Sequence, residues 1–102
     1  MRQTDELLGS LLQREVTGRL AALLLSLRDR FGEEAEGDEA GTVTIGLRLT
    51  HQQLASMIAS TREAVSKAMT DLRREGLIDV RERRIILVDL PALSDRAEGG
   101  GP

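Results

Sequence analysis

The side chains able to do chemistry in this chain gather between Thr50 and Arg84. Thr50, His51 and Gln52 come first, then Thr61, Arg62 and Glu63, then Ser66 and Lys67, with Arg81 and Arg83 following. They supply hydroxyl, imidazole, amide, guanidinium, carboxylate and ammonium groups, a set suited to hydrogen bonding and ion pairing. Catalysis would need more: no nucleophile stands beside a base, no residues take metal-ligand spacing, and no glycine loop is aimed to cradle phosphate. The chain has no cysteine, which removes disulfides, thiolate metal sites and a thiol nucleophile. His51 is the only histidine and, near a helix start, reads as a surface residue. The expectation is a protein that is not an enzyme.

The elements that must position these groups lie in THQQLASMIASTREAVSKAMTDLRR, residues 50–74. The spacing predicts two short helices joined by a tight turn. Thr50 can accept from the N–H of Gln53 while Gln53 reaches back, as in a capping box. Leu54 and Ile58, four apart, share a buried face, and Ala55 lets a second helix cross closely. Ser60 or Thr61 caps the second helix, with Glu63 placed to close a box on Ser60. In that helix Val65, Ala68, Met69 and Leu72 face inward. Arg62, Glu63, Ser66, Lys67, Thr70, Arg73 and Arg74 fall outside, where side chains near the helix N-terminus can enter a DNA major groove and read base edges. Gly76 suits the left-handed residue that ends the helix. An ordinary antiparallel helix pair with a solvated face fits the same pattern.

At 102 residues the chain is one domain with an arm or tail. Phe31 is its only aromatic residue, which argues against a stacking platform for single-stranded nucleic acid. The formal net charge is −3, but Glu33, Glu34, Glu36, Asp38 and Glu39 share one short segment while residues 62–84 are net positive. Phosphate contact depends on the local face and not on the total. The apolar run 20–27 is too short to cross a bilayer, no signal peptide is evident, and the expected location is cytoplasmic, with no membrane contact.

Taken in order, residues 1–15 and the start of the next segment place Leu7, Leu8, Leu11, Leu12 and Val16 on one stripe that needs a partner, either this domain or a second subunit. Gly18 marks a bend or a close approach. Leu20, Leu23, Leu24 and Leu27 form an inward face, Arg19, Arg28 and Arg30 point out, and Gly32 stops the helix. GEEAEGDEAG then reads as an exposed loop, either a solvated linker or a protein-contact surface. Val43, Ile45, Leu47 and Leu49 alternate as a half-buried strand. Residues 77–80 and 84–88 form a hairpin around Arg81-Glu82-Arg83, which makes the whole a winged helix-turn-helix. Its charged tip can rest on phosphates or merely blunt the sheet edge. Pro91 opens a short last helix. The expected fold class is mainly α with a small β-sheet. The expected division is an arm or the end of a dimerisation helix over 1–15, a winged helix-turn-helix over 16–93 and a disordered tail over 94–102.

Three segments in order carry a family resemblance: VTGRLAALLLSL, LTHQQLASMIASTREAVSKAMTDLRREGLI and RRIILV. Together they resemble the DNA-binding domain of the CRP/FNR family of bacterial transcription regulators. IGLRLTHQQLA, the glycine-free wing and LPALS are closest to its global nitrogen regulator branch. The resemblance implies an N-terminal sensor barrel that this chain has no room for, with residues 1–15 as the end of the dimerisation helix. No cyclic nucleotide, haem, iron–sulfur or 2-oxoglutarate site can be read here, so no cofactor is expected in this chain. By position, Arg62 and Glu63 match the pair that reads a G·C step. The chemistry agrees, since Arg donates twice to guanine and a carboxylate accepts from cytosine N4. Lys67 stands where many members carry a second guanine-reading Arg, without that residue's planar fork. Ser66 matches a base-reading position of the FNR branch. Thr50, His51, Gln52 and Thr61 match phosphate positions, and Arg81 and Arg83 lie on the wing. Ala64 lacks the hydroxyl often found there, and Glu82 replaces a glycine of some wings. The acidic segment matches a region that in some members touches RNA polymerase.

The function implied is sequence-specific binding of double-stranded DNA for transcription regulation, by a homodimer with recognition helices in successive major grooves of a palindrome. The alternative is a winged-helix module for protein contact without specific DNA readout.

Overall fold

The structure is a computed structural model that describes residues 2–34 and 41–99, with side chains from residue 8 onward. Its elements in order are α1 (Arg2–Phe31), β1 (Gly32–Glu34), β2 (Val43–Arg48), α2 (His51–Met57), α3 (Arg62–Arg74), β3 (Ile78–Arg81), β4 (Arg84–Leu87) and α4 (Leu90–Ala97). The four strands make one antiparallel sheet in the order β1-β2-β4-β3. This is the expected class, helices with a small sheet, and its hairpin β3–β4 is the wing.

Three local expectations give way. First, of the two readings of the N-terminal segment, a separate arm gives way to a helix: α1 runs 30 residues without a break. Gly18 is the close approach and not a bend. A Cβ there would lie 2.9 Å from the Arg96 carbonyl oxygen, so its missing side chain lets α4 lie against α1. Second, the acidic loop begins as structure. Glu33 pairs with Thr44 and Glu34 with Val43 at the edge of the sheet, while residues 35–40 lie outside the described residues. Third, the chain does not end in disorder at 94. Residues 94–97 complete α4, where Arg96 donates to both carboxylate oxygens of Glu75 at 2.8 and 2.9 Å. Residues 100–102 lie outside the described ones.

The core is aliphatic and sits where α1 crosses the helix pair and the sheet. Leu20 and Leu24 from α1, Ile45 from β2, Leu54 from α2, Val65 and Leu72 from α3, Leu87 from β4 and Leu93 from α4 are all fully buried. Each such side chain contributes about 1.5–3 kcal/mol of hydrophobic stabilisation. In contrast, Leu8, Leu11 and Leu12 on the projecting part of α1 are about half exposed or more. Among the described residues of the stripe, Val16 packs against the core while these three leucines are left largely uncovered. The long axis of the molecule, 52 Å against 26 and 19 Å for the others, reflects that projection.

Candidate nucleic-acid interface

Each helix of the pair is closed by chemistry visible in the sequence. Thr50 Oγ1 accepts from Gln53 N at 3.0 Å, and Gln53 Oε1 accepts from Thr50 N at 2.8 Å, completing the capping box. At α3 the cap is Thr61, whose Oγ1 accepts from Ala64 N at 3.1 Å; the box drawn from Ser60 to Glu63 is not formed, and Glu63 stays exposed. In both caps the threonine oxygen is the acceptor, which leaves its hydroxyl proton to donate outward.

The turn between the helices is a Schellman motif. Ser60 N donates to Ala55 O, and Ala59 N donates to Ser56 O, with Ala59 in the left-handed region at φ 54°. The same motif ends α3, where Leu77 N donates to Leu72 O, Gly76 N to Arg73 O, and Gly76 has φ 78°. Glycine suits the second site; the first holds an alanine against its preference.

On α3, Val65, Ala68, Met69 and Leu72 are buried, as the spacing predicts. Arg62, Glu63, Lys67, Thr70, Arg73 and Arg74 are exposed. Arg62 and Glu63 lie side by side, 3.7 Å apart, in a solvent-facing pair that costs little to separate. Ser66 differs from them. It is half-buried, and its Oγ lies 2.7 Å from Nδ1 of His51, the first residue of α2. A residue read as a phosphate contact and one read as a base contact are therefore joined.

Beside this helix the wing builds a groove. Arg48, Leu49, Thr50, His51, Met69, Val80, Arg83 and Ile85 line a cavity of about 320 Å³ with an apolar floor and a basic rim. The wing tip is a two-residue turn with Glu82 at φ 53° and Arg83 at φ 67°, the left-handed pair that matches strand twist. Arg81 and Arg83 take different surroundings. Arg83 lines the groove, whereas Arg81 Nε stands 3.8 Å from Asp79, a carboxylate that Arg73 approaches at 3.6 Å. Gln52 is exposed in the first turn of α2.

Sequence reasoning passed over Arg48. Between Thr44 and Arg48 the β2–β4 register shifts, and Arg48 Nε donates to the Glu82 carbonyl at 3.2 Å, tying the end of β2 to the wing tip. Its signal was present as a basic residue just before a capped helix. The buttress of the pair was also missed. Gln13 Nε2 donates to the Ala64 carbonyl at 3.0 Å, and Arg19, exposed as expected, donates to the Ile58 carbonyl at the end of α2.

Comparison with known proteins agrees with this geometry. The Crp-like helix-turn-helix domain profile matches residues 18–96. The transcriptional regulator LdrP of Thermus thermophilus is 39% identical over 97 residues, which cover 95% of this chain and 47% of that protein. The global nitrogen regulator of Synechococcus elongatus, from the branch named on sequence, is 35% identical over 94 residues, 92% of this chain and 40% of that protein. A crystal structure of a CRP/FNR-family transcriptional regulator, also from Thermus thermophilus, superposes with a TM-score of 0.71 at 34% identity, covering 98% of this chain and 49% of that one. The chain spans less than half the length of these relatives. Capped helix pair, wing, buttressing helix and sequence thus agree: the chain belongs to the family of Crp-like helix-turn-helix domains in CRP/FNR regulators.

Proposed function

We propose that this chain binds double-stranded DNA sequence-specifically and is the output domain of a cytoplasmic transcription regulator. The observation that carries the reading is the face of α3: Arg62, Glu63 and Lys67 project from a helix whose opposite side is locked into the core, next to a groove rimmed by Arg48, His51 and Arg83. Such a face can enter a major groove while the rim meets the flanking backbone. Base reading falls to Arg62, Glu63 and Lys67. Phosphate contact falls to Thr50, His51, Gln52, Thr61, Arg81 and Arg83, with Arg48 added. The two threonine caps suit this, because each hydroxyl can donate to a phosphate while its oxygen holds the helix. Ser66, engaged by His51, is a separate case.

The exposed stripe Leu8–Leu11–Leu12 supports assembly as a homodimer along α1, which places two α3 helices on one palindrome. No helix among the described residues is long and apolar enough to cross a membrane.

Two substitutions test the assignment. Glu63→Ala is expected to relax preference at one base pair of each half-site. Arg83→Ala is expected to weaken every sequence alike and to lower the salt slope by about one. Uniform weakening by Glu63→Ala would overturn its base-reading role. A chain that binds a partner protein through α3 and shows no salt-dependent DNA affinity would replace the DNA reading altogether.

A further inference from the structure

We infer that Ser66 acts in DNA binding by holding the His51 imidazole toward phosphate and not by reading a base edge. This rests on the DNA-binding reading above. Three observations carry it. Ser66 is half-buried on the flank of α3 that faces α2, whereas the neighbouring polar residues Arg62, Glu63, Lys67 and Thr70 are exposed. Its side chain is short, and its hydroxyl is already within 2.7 Å of His51 Nδ1. The imidazole so held lines the groove that also carries Arg48 and Arg83, where an anion would find complementary charge.

The chemistry of the ring follows from that contact. A hydroxyl that donates to Nδ1 places the ring proton of neutral imidazole on Nε2, since one nitrogen accepts and the other then carries hydrogen. Nε2–H can donate to a phosphate oxygen in the groove. If the ring is charged, Nδ1–H donates to Ser66 Oγ instead, and Nε2–H keeps the same role. Ser66 fixes the orientation in both states, much as a hydrogen-bonded partner fixes a metal-binding histidine through its second nitrogen. His51 touches the ligand, and Ser66 is a positioning residue.

The test combines binding and spectroscopy on the full chain. Affinity is measured for a selected site and its single-base variants with the unaltered protein, Ser66→Ala, Ser66→Thr, His51→Ala and the double variant Ser66→Ala/His51→Ala. Ser66→Ala is expected to weaken all sequences alike, by about two- to tenfold, the range of one modest hydrogen bond. Ser66→Thr keeps a hydroxyl and is expected to retain affinity. In the His51→Ala background, Ser66→Ala is expected to have no further effect. Loss of preference at one base pair in Ser66→Ala, or losses that add in the double variant, would overturn the inference. Nitrogen NMR of the free protein with neutral imidazole supplies a readout independent of DNA. The expected state is Nε2–H, released toward a tautomer mixture in Ser66→Ala; a ring protonated at Nδ1 and unchanged by the substitution would overturn the holding role. Should the unaltered chain select no sequence, the DNA-reading proposal itself fails, while the ring tautomer still decides whether Ser66 holds His51.

Discussion

Gln13 on α1 donates from Nε2 to the carbonyl of Ala64 in the first turn of α3, at 3.0 Å and across 51 residues of sequence. Arg19, further along the same helix, donates to the carbonyl of Ile58 at the end of α2. One rod therefore grips both helices of the pair at main-chain carbonyls, where side-chain variation on the exposed face of α3 does not disturb the grip. The exposed Leu8, Leu11 and Leu12 lie on that same rod.

Removing the Gln13 amide deletes a tie between α1 and α3, while the Ala64 carbonyl, near the start of α3, still accepts within its own helix. Gln13→Ala is expected to lower stability by about 1 kcal/mol, the net worth of one such bond, read as a shift of the urea midpoint. An unchanged midpoint would mean that the bond contributes nothing beyond what water restores.

Ala59 holds a left-handed backbone in the turn between α2 and α3. That conformation costs an L-residue about 1–2 kcal/mol, and glycine escapes the cost while adding some entropy to the unfolded chain. Ala59→Gly is expected to stabilise the domain by up to about 1 kcal/mol and to raise the melting temperature by a few degrees. A lower melting temperature would contradict the Schellman geometry.

Gly32 joins α1 to β1 under tight packing. A Cβ there would lie 2.5 Å from the Arg28 carbonyl oxygen and 2.8 Å from Val43 Cγ1. Gly32→Ala is expected to cost about 1–3 kcal/mol in thermal or chemical denaturation, with the edge strand β1 moving first. A neutral result would show that the helix end can shift without loss.

The two ends of the chain show why parts of this fold were legible in sequence and others were not. The capping box from Thr50 to Gln53, the buried row Val65–Ala68–Met69–Leu72 and the left-handed Gly76 are local, and each follows from residues within a turn or two of one another. The start of the tail was misjudged because SDRA, residues 94–97, looks unstructured until Arg96 meets Glu75, 21 residues away. Likewise, GEE looks like a loop until Val43 and Thr44 offer it a strand edge. On α3, the exposed placement of Arg62, Glu63 and Lys67 was legible from helical spacing alone. The His51–Ser66 contact was not, because it joins two helices whose crossing angle no single-helix periodicity reports.

The Arg96–Glu75 pair carries its own expectation. Arg96 is only 15% exposed, so the contact is shielded compared with the surface pairs. Arg96→Ala is expected to cost roughly 1.5 kcal/mol and to raise amide exchange along α4 before the rest of the domain. Exchange unchanged in α4 would mean that the apolar contacts of Leu90, Leu93 and Ala97 anchor the helix without the ion pair.

The most direct measurement is selection of bound duplexes from a random DNA pool by this chain at low salt. The account predicts recovery of a G·C-specific half-site, repeated as a palindrome with centres about 34 Å apart when two chains pair along α1. Folded protein that enriches no sequence, or that enriches sites unaffected by Arg62→Ala and Glu63→Ala, would contradict it.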